Sequence, residues 1–294
     1  MDYQFCTLCP RCCGANRARG TLGYCKMPAE LRAAKAMLHF GEEPVISGTS
    51  VTGAIFFSGC TLRCVFCQNE EISTGGLGQA LSSQQLRELM EQLIEKGAQS
   101  IDLVTPTHFL PTILPALTPK LPVPVVYNCG GYERVETLQA LEGLVDVYLP
   151  DFKYADHALA AKLSAAPDYF EVATKALREM YRQTGPAVVE NEQLKRGMLV
   201  RHLVLPGYLE NTLRVLDWLA DAFPVQNILV SLMSQYVPMG SAAKFPPLNR
   251  RITGEEYDGA VSWMELCGFT RGYCQDFSSA TTEYLPDFQT FLEF

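Results

Sequence analysis

The sequence predicts an α/β protein built around a mostly parallel sheet, and three observations support this prediction. From about residue 50 onward, short apolar runs alternate with stretches of helical periodicity. The apolar runs are nearly continuous, which is typical of parallel strands covered on both faces. Polar residues follow several of these runs directly, at the end where α/β folds bind their ligands. We therefore expect a partial (β/α)6 TIM-like barrel, with a doubly wound sheet as the alternative.

Six β/α units make up the predicted core. Strands are predicted over residues 51–58, 101–104, 123–127, 145–149, 198–205 and 228–232. Helices are predicted over residues 82–96, 133–142, 156–164, 174–184, 211–222 and 254–266. The first helix has an apolar stripe and is followed by Gly97. The last begins with Thr253 and Glu256 at the spacing of a capping box.

Composition divides the chain into three segments. Residues 1–49 are cysteine-rich and loop-like, with a short helix near residues 30–38, and are predicted to form an N-terminal extension. Residues 50–235 contain the β/α units, and residues 236–294 are predicted to pack on them as a C-terminal extension. A chain of 294 residues, 48% of them hydrophobic, is long enough to bury such a core.

The charge balance and the hydropathy pattern exclude several classes of protein. With 24 Lys and Arg against 32 Asp and Glu, the formal net charge is −8, which argues against broad binding to nucleic acid. We find no apolar run long enough to cross a membrane and no secretory layout at the N-terminus. We therefore expect a soluble cytoplasmic protein with no nucleic-acid partner and no membrane association.

The eleven cysteines are grouped, five within residues 6–25 and three within residues 60–67. Short spacing in a long cytoplasmic chain indicates metal ligands rather than disulfides. Cys60, Cys64 and Cys67 directly follow the first predicted strand. Three thiolates on one short loop can hold three corners of a cubane cluster and leave the fourth iron open for chemistry. A zinc loop and buried structural cysteines are the alternatives.

The segment GCTLRCVFCQN at residues 59–69 resembles the cluster motif of the radical S-adenosyl-L-methionine (SAM) superfamily, specifically of proteins related to pyruvate formate-lyase activating enzyme. The resemblance covers roughly residues 50–235. It implies that the three cysteines bind a [4Fe–4S] cluster whose open iron chelates SAM, and that Phe66 lies near the adenine. It also implies a flavodoxin- or ferredoxin-type reductant and reductive cleavage to a 5′-deoxyadenosyl radical that abstracts hydrogen.

The resemblance also implies SAM contacts after the second and third strands. Thr105 and Thr107 stand where many relatives have a Gly-Gly-Glu stretch, and they are the candidate contacts to the methionine amino group. His108 is either a further contact or an ordinary loop histidine. Asn128 and Gly131 lie in NCGGY, which matches a position where activating enzymes contact SAM. A tight strand-to-helix turn is the alternative for this segment.

Charged residues follow the fourth strand and lie on the fifth. Asp151 and Lys153 in LPDFKY resemble an Asp-x-Lys pair that orders a cation and the SAM carboxylate near the reacting end, and we expect both to be catalytic. Arg201 resembles an arginine that can hold the SAM carboxylate through two hydrogen bonds. An ordinary salt bridge is the alternative for the Asp151–Lys153 pair. His202 points to the opposite side of its strand and is expected in the core or at the surface.

The N-terminal cysteines are predicted to form a second, smaller metal site. Cys6, Cys9, Cys13 and Cys25 are the candidate ligands, and Cys12 is left over. Zinc in a closed site, an auxiliary iron–sulfur cluster and no metal at all are the three possibilities that the spacing leaves open. Downstream of them His39, Glu42 and Glu43 are expected in a solvated loop. The alternative is that they face the mouth of the barrel, where their acidity binds a substrate amine or guides a partner.

The leading hypothesis is an enzyme that cleaves SAM reductively and abstracts a hydrogen atom from an unknown protein, peptide or small-molecule substrate. The resemblance makes a glycyl-radical-enzyme activase the first expectation. Radical modification of a peptide or small metabolite is the second. An iron–sulfur electron-transfer or redox-sensing protein without SAM chemistry is the third.

Overall fold

The computed structural model describes residues 2–47, 51–277 and 286–293, and within them eleven strands form one sheet. The strands are β1 Leu31–His39, β2 Val51–Phe57, β3 Gln79–Leu81, β4 Ala98–Val104, β5 Val125–Cys129, β6 Val147–Pro150, β7 Val188–Glu190, β8 Gln193–Leu203, β9 Leu229–Met233, β10 Gly272–Cys274 and β11 Leu292–Glu293. The helices are α1 Pro44–Ser47, α2 Glu70–Gly75, α3 Ser83–Glu95, α4 Leu110–Ala116, α5 Val135–Gln139, α6 His157–Ser164, α7 Tyr169–Thr184, α8 Leu209–Ala222 and α9 Gly254–Leu266.

Six parallel strands form the centre of the sheet, in the order β9, β8, β6, β5, β4, β2. β10 extends this arrangement beside β9, while β1 runs antiparallel to β2 and pairs with β11. The path has two ends, β10 and β11, and no pairing between described residues joins them. The predicted α/β fold with a mostly parallel sheet is confirmed. The predicted segment boundary between residues 49 and 50 lies outside the described residues.

Both faces of the central strands are buried, as their near-continuous apolar sequences predict. Side chains such as Ile55, Leu103 and Tyr127 belong to the main core with α3, α4, α7 and α8, and we call this the helical face. The opposite, inner face is covered in part by Val45 and Ile46 of α1. Because side chains alternate along a strand, residues at every second position share the inner face.

Helix α1 lies against the amino ends of the strands. The Ile46 carbonyl accepts hydrogen bonds from Ser100 Oγ at 3.3 Å and Gln193 Nε2 at 3.4 Å. Ser100 lies near the start of β4, and Gln193 is the first residue of β8. At this end, α1 therefore covers the inner face through both apolar contacts and hydrogen bonds.

The helix expected near residues 30–38 is wrong, because this segment forms β1. Alanine and leucine favour a helix by only fractions of a kcal/mol per residue, which tertiary contacts readily override. Here the edge of β2 offers a ladder from Ala33–Phe57 to His39–Thr52. The fully buried Lys35 also makes an ion pair with Glu293 at 2.6 Å, which fixes β1 beside the C-terminal segment.

The other predicted elements are present, with boundaries shifted by a few residues. The predicted capping box of α9 is confirmed at Thr253 and Glu256, and α3 has one at Ser82 and Gln85. Helix α4 was not predicted, because Pro111 and Pro115 are not typical of helices. Pro111 stands in the first turn, where its missing N–H costs nothing. In the described part of the chain, no helix is both long and apolar enough to span a bilayer.

Candidate active site

The loop after β2 contains three of the cysteines, and we call residues 58–69 the cluster loop. It leaves the carboxyl end of β2 through Gly59, whose φ is +82°. A Cβ on Gly59 would lie 2.5 Å from Cγ of Met27 and 2.6 Å from the Cys25 carbonyl oxygen. Glycine is therefore required where the cluster loop passes against the N-terminal segment.

Two thiols of the cluster loop have hydrogen-bond donors of their own. The Leu62 N–H donates to Cys60 Sγ at 3.4 Å, and the Ser164 hydroxyl donates to Cys64 Sγ at 2.9 Å. Ser73 and the Asn69 backbone act against the burial that raises the pKa of Cys67. Donors of this kind orient ligand side chains and stabilise thiolates in metal sites.

The three thiols fit a cubane cluster. Burial raises the pKa of Cys60, and burial together with the other two thiols raises that of Cys67 to about 12. Coordination to iron removes such thiol protons. No three His, Cys, Asp or Glu side chains among the described residues are arranged to hold a single metal ion. Ligands of a cubane each bind a different iron, so they need not converge on one point.

The turn after β5 brings backbone close to the cluster loop. Gly131 has a φ of +75°, and a Cβ there would lie 2.3 Å from the Asp151 carbonyl oxygen. A Cβ on Gly130 would lie 2.7 Å from Cδ1 of Leu62 and 3.9 Å from Cε of Lys153. The structure therefore places the predicted Gly131 beside the predicted Asp151 and Lys153.

Four of the predicted site residues form one hydrogen-bonded group. Arg201 Nε donates to Asp151 at 2.9 Å and Arg201 Nη2 donates to Asn128 at 2.7 Å, while Lys153 Nζ donates to Asp151 at 2.6 Å. Burial alone would raise the pKa of Asp151, but the Arg201 and Lys153 cations hold it below its ordinary value. Burial alone would lower the pKa of Lys153, but Asp151 and the Cys64 sulfur raise it. The pair is therefore ionised at neutral pH.

Three carboxyl groups lie on the inner face beside Arg201, and we call Glu42, Glu43 and Asp102 the acidic group. Arg201 Nη1 donates to Glu42 at 3.3 Å. Asp102 Oδ2 accepts a bond from Asn128 Nδ2 at 3.0 Å, and its buried Oδ1 has no hydrogen-bond partner among the described residues. The expected solvated loop is wrong, since Glu43 is 7% exposed. Glu43 is buried because α1, which follows it, packs into the inner face.

Protonation of the acidic group is set by burial. Burial raises the pKa of Glu43 to about 7, in spite of the nearby Arg201. Burial and the adjacent Glu42 raise the pKa of Asp102. Burial lowers the pKa of His39, which stands next to Glu42. The inner face therefore holds carboxyl groups that burial tends to keep protonated, and a cation placed beside them would favour their ionised form.

The segment after β4 places the two predicted threonine contacts in different surroundings. Thr105 has a φ of +59° and is half-buried at the strand end. Thr107 is fully buried, and its hydroxyl lies 2.8 Å from that of Tyr127. His108 is also buried, with Nε2 2.7 Å from the Ser58 carbonyl oxygen, and burial lowers its pKa to about 3. Of these residues Thr105 alone retains exposure at the site.

Phe66 and His202 have clear structural surroundings. The Phe66 ring is buried on the cluster loop, 6.1 Å from the ring of Tyr236. His202 lies on the helical face, with Nδ1 2.6 Å from the Phe152 carbonyl oxygen and Nε2 2.9 Å from the Thr212 hydroxyl. Burial lowers the pKa of His202 to about 4, so its ring is neutral. The core position expected for His202 is confirmed.

Two buried acids were missed from the sequence. Glu133 follows the glycine turn; burial raises its pKa to about 8, and its Oε2 has no hydrogen-bond partner among the described residues. Asp102 lies inside the apolar strand β4, and a charge within such a strand was the signal that could have revealed it. No comparable signal marks Glu133, because a loop carboxylate after a strand is common.

Comparison with known proteins identifies a cluster domain and a relative. Residues 46–109, which include the cluster loop, match the family model of a 4Fe-4S single cluster domain, and this confirms the predicted [4Fe–4S] cluster. The chain is 30% identical over 273 residues to the uncharacterized protein MJ0674 of Methanocaldococcus jannaschii, covering 90% of this chain and 75% of that one. It is 23% identical over 222 residues to lipoyl synthase of Kocuria rhizophila, covering 71% and 60% respectively.

Two solved structures resemble parts of the chain. Methylornithine synthase (PylB) is 15% identical with a TM-score of 0.49, over 70% of this chain and 59% of that one. SuiB of Streptococcus suis, bound to S-adenosylmethionine, is 13% identical with a TM-score of 0.46, over 76% and 47%. Both scores are too low to establish a shared fold.

Proposed function

Because this chain belongs to the family of the uncharacterized Methanocaldococcus jannaschii protein MJ0674 and contains a 4Fe-4S single cluster domain, we propose that it is a radical SAM enzyme. The observation that carries this proposal is one loop with three partly buried thiols beside the Asp151–Lys153 pair. Cys60, Cys64 and Cys67 hold the cluster, which supplies the electron for reductive cleavage of SAM.

Lys153 is the best candidate to bind the SAM carboxylate. Its ammonium interacts with the sulfurs of Cys60 and Cys64, so it stands beside the cluster loop, and its side chain is 19% exposed. Gly130 and Gly131 leave room for a ligand to approach the backbone next to it. Thr105 supplies a polar group at the end of the neighbouring strand. These contacts account for binding and orientation of the cofactor.

Arg201 has a positioning role in addition to the carboxylate contact that the resemblance implies. Its three donor groups are engaged by Asp151, Asn128 and Glu42. A guanidinium held in this way fixes the rotamers of its neighbours. Arg201 therefore orients Asp151, and Asp151 in turn holds Lys153.

The proposal is tested by SAM cleavage. Anaerobically reconstituted and reduced protein is expected to release 5′-deoxyadenosine from SAM, and Cys64→Ala is expected to lose iron and cleavage together. Cys274→Ser is the matched control, because this thiol is exposed on β10. Persistent cleavage in Cys64→Ala would refute the ligand assignment. A loaded cluster that never cleaves SAM would instead favour an electron-transfer or redox-sensing protein.

The sequence resemblance supports activation of a glycyl-radical enzyme as the first candidate for the reaction. The target is then a backbone glycine of a partner protein, and a flavodoxin- or ferredoxin-type protein is the reductant. The measurement is an electron paramagnetic resonance signal of a glycyl radical on the partner. The absence of this signal while SAM is consumed would exclude the activase.

A small amine-bearing substrate is the second candidate, and the acidic group supports it. Asp102 interacts with Glu42 on the inner face, and one Asp102 oxygen has no hydrogen-bond partner among the described residues. Glu43, which interacts with Glu42 and Arg201, has a raised pKa. A substrate ammonium is the natural partner for such carboxyl groups. Deuterium transfer from a labelled amine metabolite into 5′-deoxyadenosine would support this candidate, and transfer only from a peptide would contradict it.

A further inference from the structure

The end of helix α6 is bound to the cluster loop, and the last residue of this helix is Ser164. The Val65 N–H donates to the Leu163 carbonyl oxygen at 2.9 Å. Arg11 joins the two segments a second time, because it donates to the carbonyl oxygens of Ser164 at 2.8 Å and Thr61 at 2.9 Å. These bonds fix the position of Ser164, which is 2% exposed, relative to the cluster loop.

The Ser164 hydroxyl donates to a sulfur rather than to its own helix. A serine in a helix can donate to a carbonyl oxygen three or four residues before it. For Ser164 these are the carbonyls of Ala160 and Ala161, and both accept the N–H of Ala165. The Ser164 hydroxyl instead donates to Cys64 Sγ at 2.9 Å. The hydroxyl is therefore directed at one of the predicted cluster ligands.

The phenol of Tyr154 completes a chain of two hydrogen bonds, and we call Tyr154, Ser164 and Cys64 the relay. The phenol oxygen lies 2.7 Å from the Ser164 hydroxyl oxygen, and Tyr154 is fully buried. A serine hydroxyl has one hydrogen, and Ser164 donates it to Cys64, so Tyr154 is the donor to Ser164. Each O–H group polarises the next one, which strengthens the bond to the sulfur.

The relay gives Cys64 different surroundings from Cys60. The Cys60 sulfur accepts a longer bond, of 3.4 Å, from the backbone N–H of Leu62. Tyr154 also follows Lys153 directly in the chain, and the Lys153 ammonium interacts with the Cys64 sulfur. The segment after β6 that bears the candidate SAM contact therefore also bears the first donor of the relay.

We propose that the relay from Tyr154 through Ser164 to Cys64 raises the reduction potential of the [4Fe–4S] cluster. A donor to a ligand sulfur stabilises the reduced cluster more than the oxidised one, because reduction by one electron adds one negative charge. Burial of the loop acts in the opposite direction, since a low dielectric disfavours added charge. The relay therefore offsets the effect of burial and favours uptake of the electron from an external one-electron reductant. This inference deepens the proposed function and needs only the cluster from it.

The first experiment measures the midpoint potential of the cluster in the reconstituted full chain without SAM. A redox titration is followed by electron paramagnetic resonance of the reduced cluster. Ser164→Ala is expected to lower the equilibrium constant for one-electron reduction about tenfold, which is a shift of about 59 mV toward negative potential. An unchanged or more positive potential in this variant would overturn the proposal.

Two variants control for packing. Ser164→Thr keeps the hydroxyl and is expected to match wild type. Ser83→Ala is also expected to match wild type, because it removes a serine hydroxyl that donates to the Thr112 carbonyl oxygen instead of a sulfur. A shift in Ser164→Thr as large as that in Ser164→Ala would assign the effect to packing and overturn the proposal.

The second experiment tests whether Tyr154 acts through Ser164. Tyr154→Phe keeps the ring and removes the donor, and we expect a change of about threefold in the same direction. Tyr181→Phe is the control and is expected to match wild type, because the Tyr181 oxygen bonds to Asn227. The double variant Ser164→Ala/Tyr154→Phe is expected to have the potential of Ser164→Ala, since the relay is already interrupted there. Additive shifts would overturn the relay.

These measurements are independent of SAM cleavage. If Ser164→Ala does not bind the cluster, Tyr154→Phe retains the serine and decides the proposal by the same titration, and an unchanged potential would overturn it. Failure to cleave SAM contradicts the proposed function alone, whereas an unchanged potential contradicts the relay alone.

Discussion

At the residue scale, Glu43 makes stability depend on pH. Burial raises its pKa from 4.5 to about 7 beside Arg201, Glu42, Asp151, Ser231 and Tyr273. The folded state then binds a proton that the unfolded state releases, so the free energy of unfolding falls as pH rises from 4.5 to about 7. Glu43→Gln removes this loss. From pH 4 to pH 8 the free energy of unfolding of the variant is therefore expected to rise by about 3 kcal/mol relative to that of wild type.

The measurement is denaturant unfolding of both proteins at several pH values. Glu95→Gln is the control, because Glu95 is exposed on α3 and its substitution leaves the pH dependence as in wild type. If the free energy of unfolding depended on pH in the same way for wild type and Glu43→Gln, the prediction would be contradicted. They would mean that the Glu43 carboxyl is ionised, and so paired with Arg201, throughout this range.

At the element scale, the turn after β5 depends on glycine for two separate reasons. Gly131 has a positive φ, and the space of its Cβ is filled by the Asp151 carbonyl oxygen at 2.3 Å. Gly143 also has a positive φ, of +80°, but a Cβ there would meet nothing within 4 Å. Gly143→Ala is expected to cost about 1 kcal/mol from backbone strain alone. Gly131→Ala is expected to cost about 3 kcal/mol or more because backbone must also move.

The comparison of these two variants separates the cost of a positive φ from the cost of a steric clash between the new Cβ and the Asp151 backbone. Thermal unfolding gives both costs, and 5′-deoxyadenosine release reports on the site. Gly131→Ala is expected to reduce release because the turn adjoins Asp151, whereas Gly143→Ala leaves it unchanged. Equal destabilisation by both substitutions would show that the turn can relax away from Asp151.

The helices and strands also show where the local sequence was sufficient to predict the structure. The capping box and apolar stripe of α3 depend on neighbours three and four residues away, so the sequence predicts them directly. β1 depends on its pairing with β2 and on Lys35 meeting Glu293, which is distant in the chain. A prediction from local propensity therefore succeeded for α3 and was wrong for β1.

At the scale of the whole molecule, Arg11 joins the N-terminal segment of residues 6–25 to the body of the protein. Its guanidinium donates to the carbonyl oxygens of Thr61, Ser164 and Ala165 and lies 4.1 Å from the centre of the Tyr24 ring. Arg11→Ala leaves these carbonyls without their donor, and we expect it to lower the free energy of unfolding by about 2 kcal/mol. We also expect faster proteolysis before residue 30 and less iron after reconstitution.

Arg19→Ala is the matched control, because Arg19 is an exposed arginine of the same segment. It is expected to match wild type in stability, proteolysis and iron content. If Arg11→Ala also matched wild type in all three, residues 6–25 would be held by their other contacts, and the Arg11 bonds would contribute little.

The sequence alone determined the β/α order and the position of the cluster loop, and it predicted residues that the structure places beside that loop. These follow from short-range spacing and from the rule that parallel strands place their carboxyl ends at one edge. The prediction that Asn128, Asp151, Lys153 and Arg201 gather there needed only the strand order, and the structure brings them into contact.

Only the tertiary structure decided the surroundings of that edge. It placed Glu42 and Glu43 on the inner face through α1, set Asp102 beside Glu42, and placed residues 6–25 against the cluster loop. These contacts join segments far apart in the chain. The packed segments exclude water, and this sets the burial and therefore the protonation of the carboxyl groups. The spacing of residues in the sequence does not predict that packing.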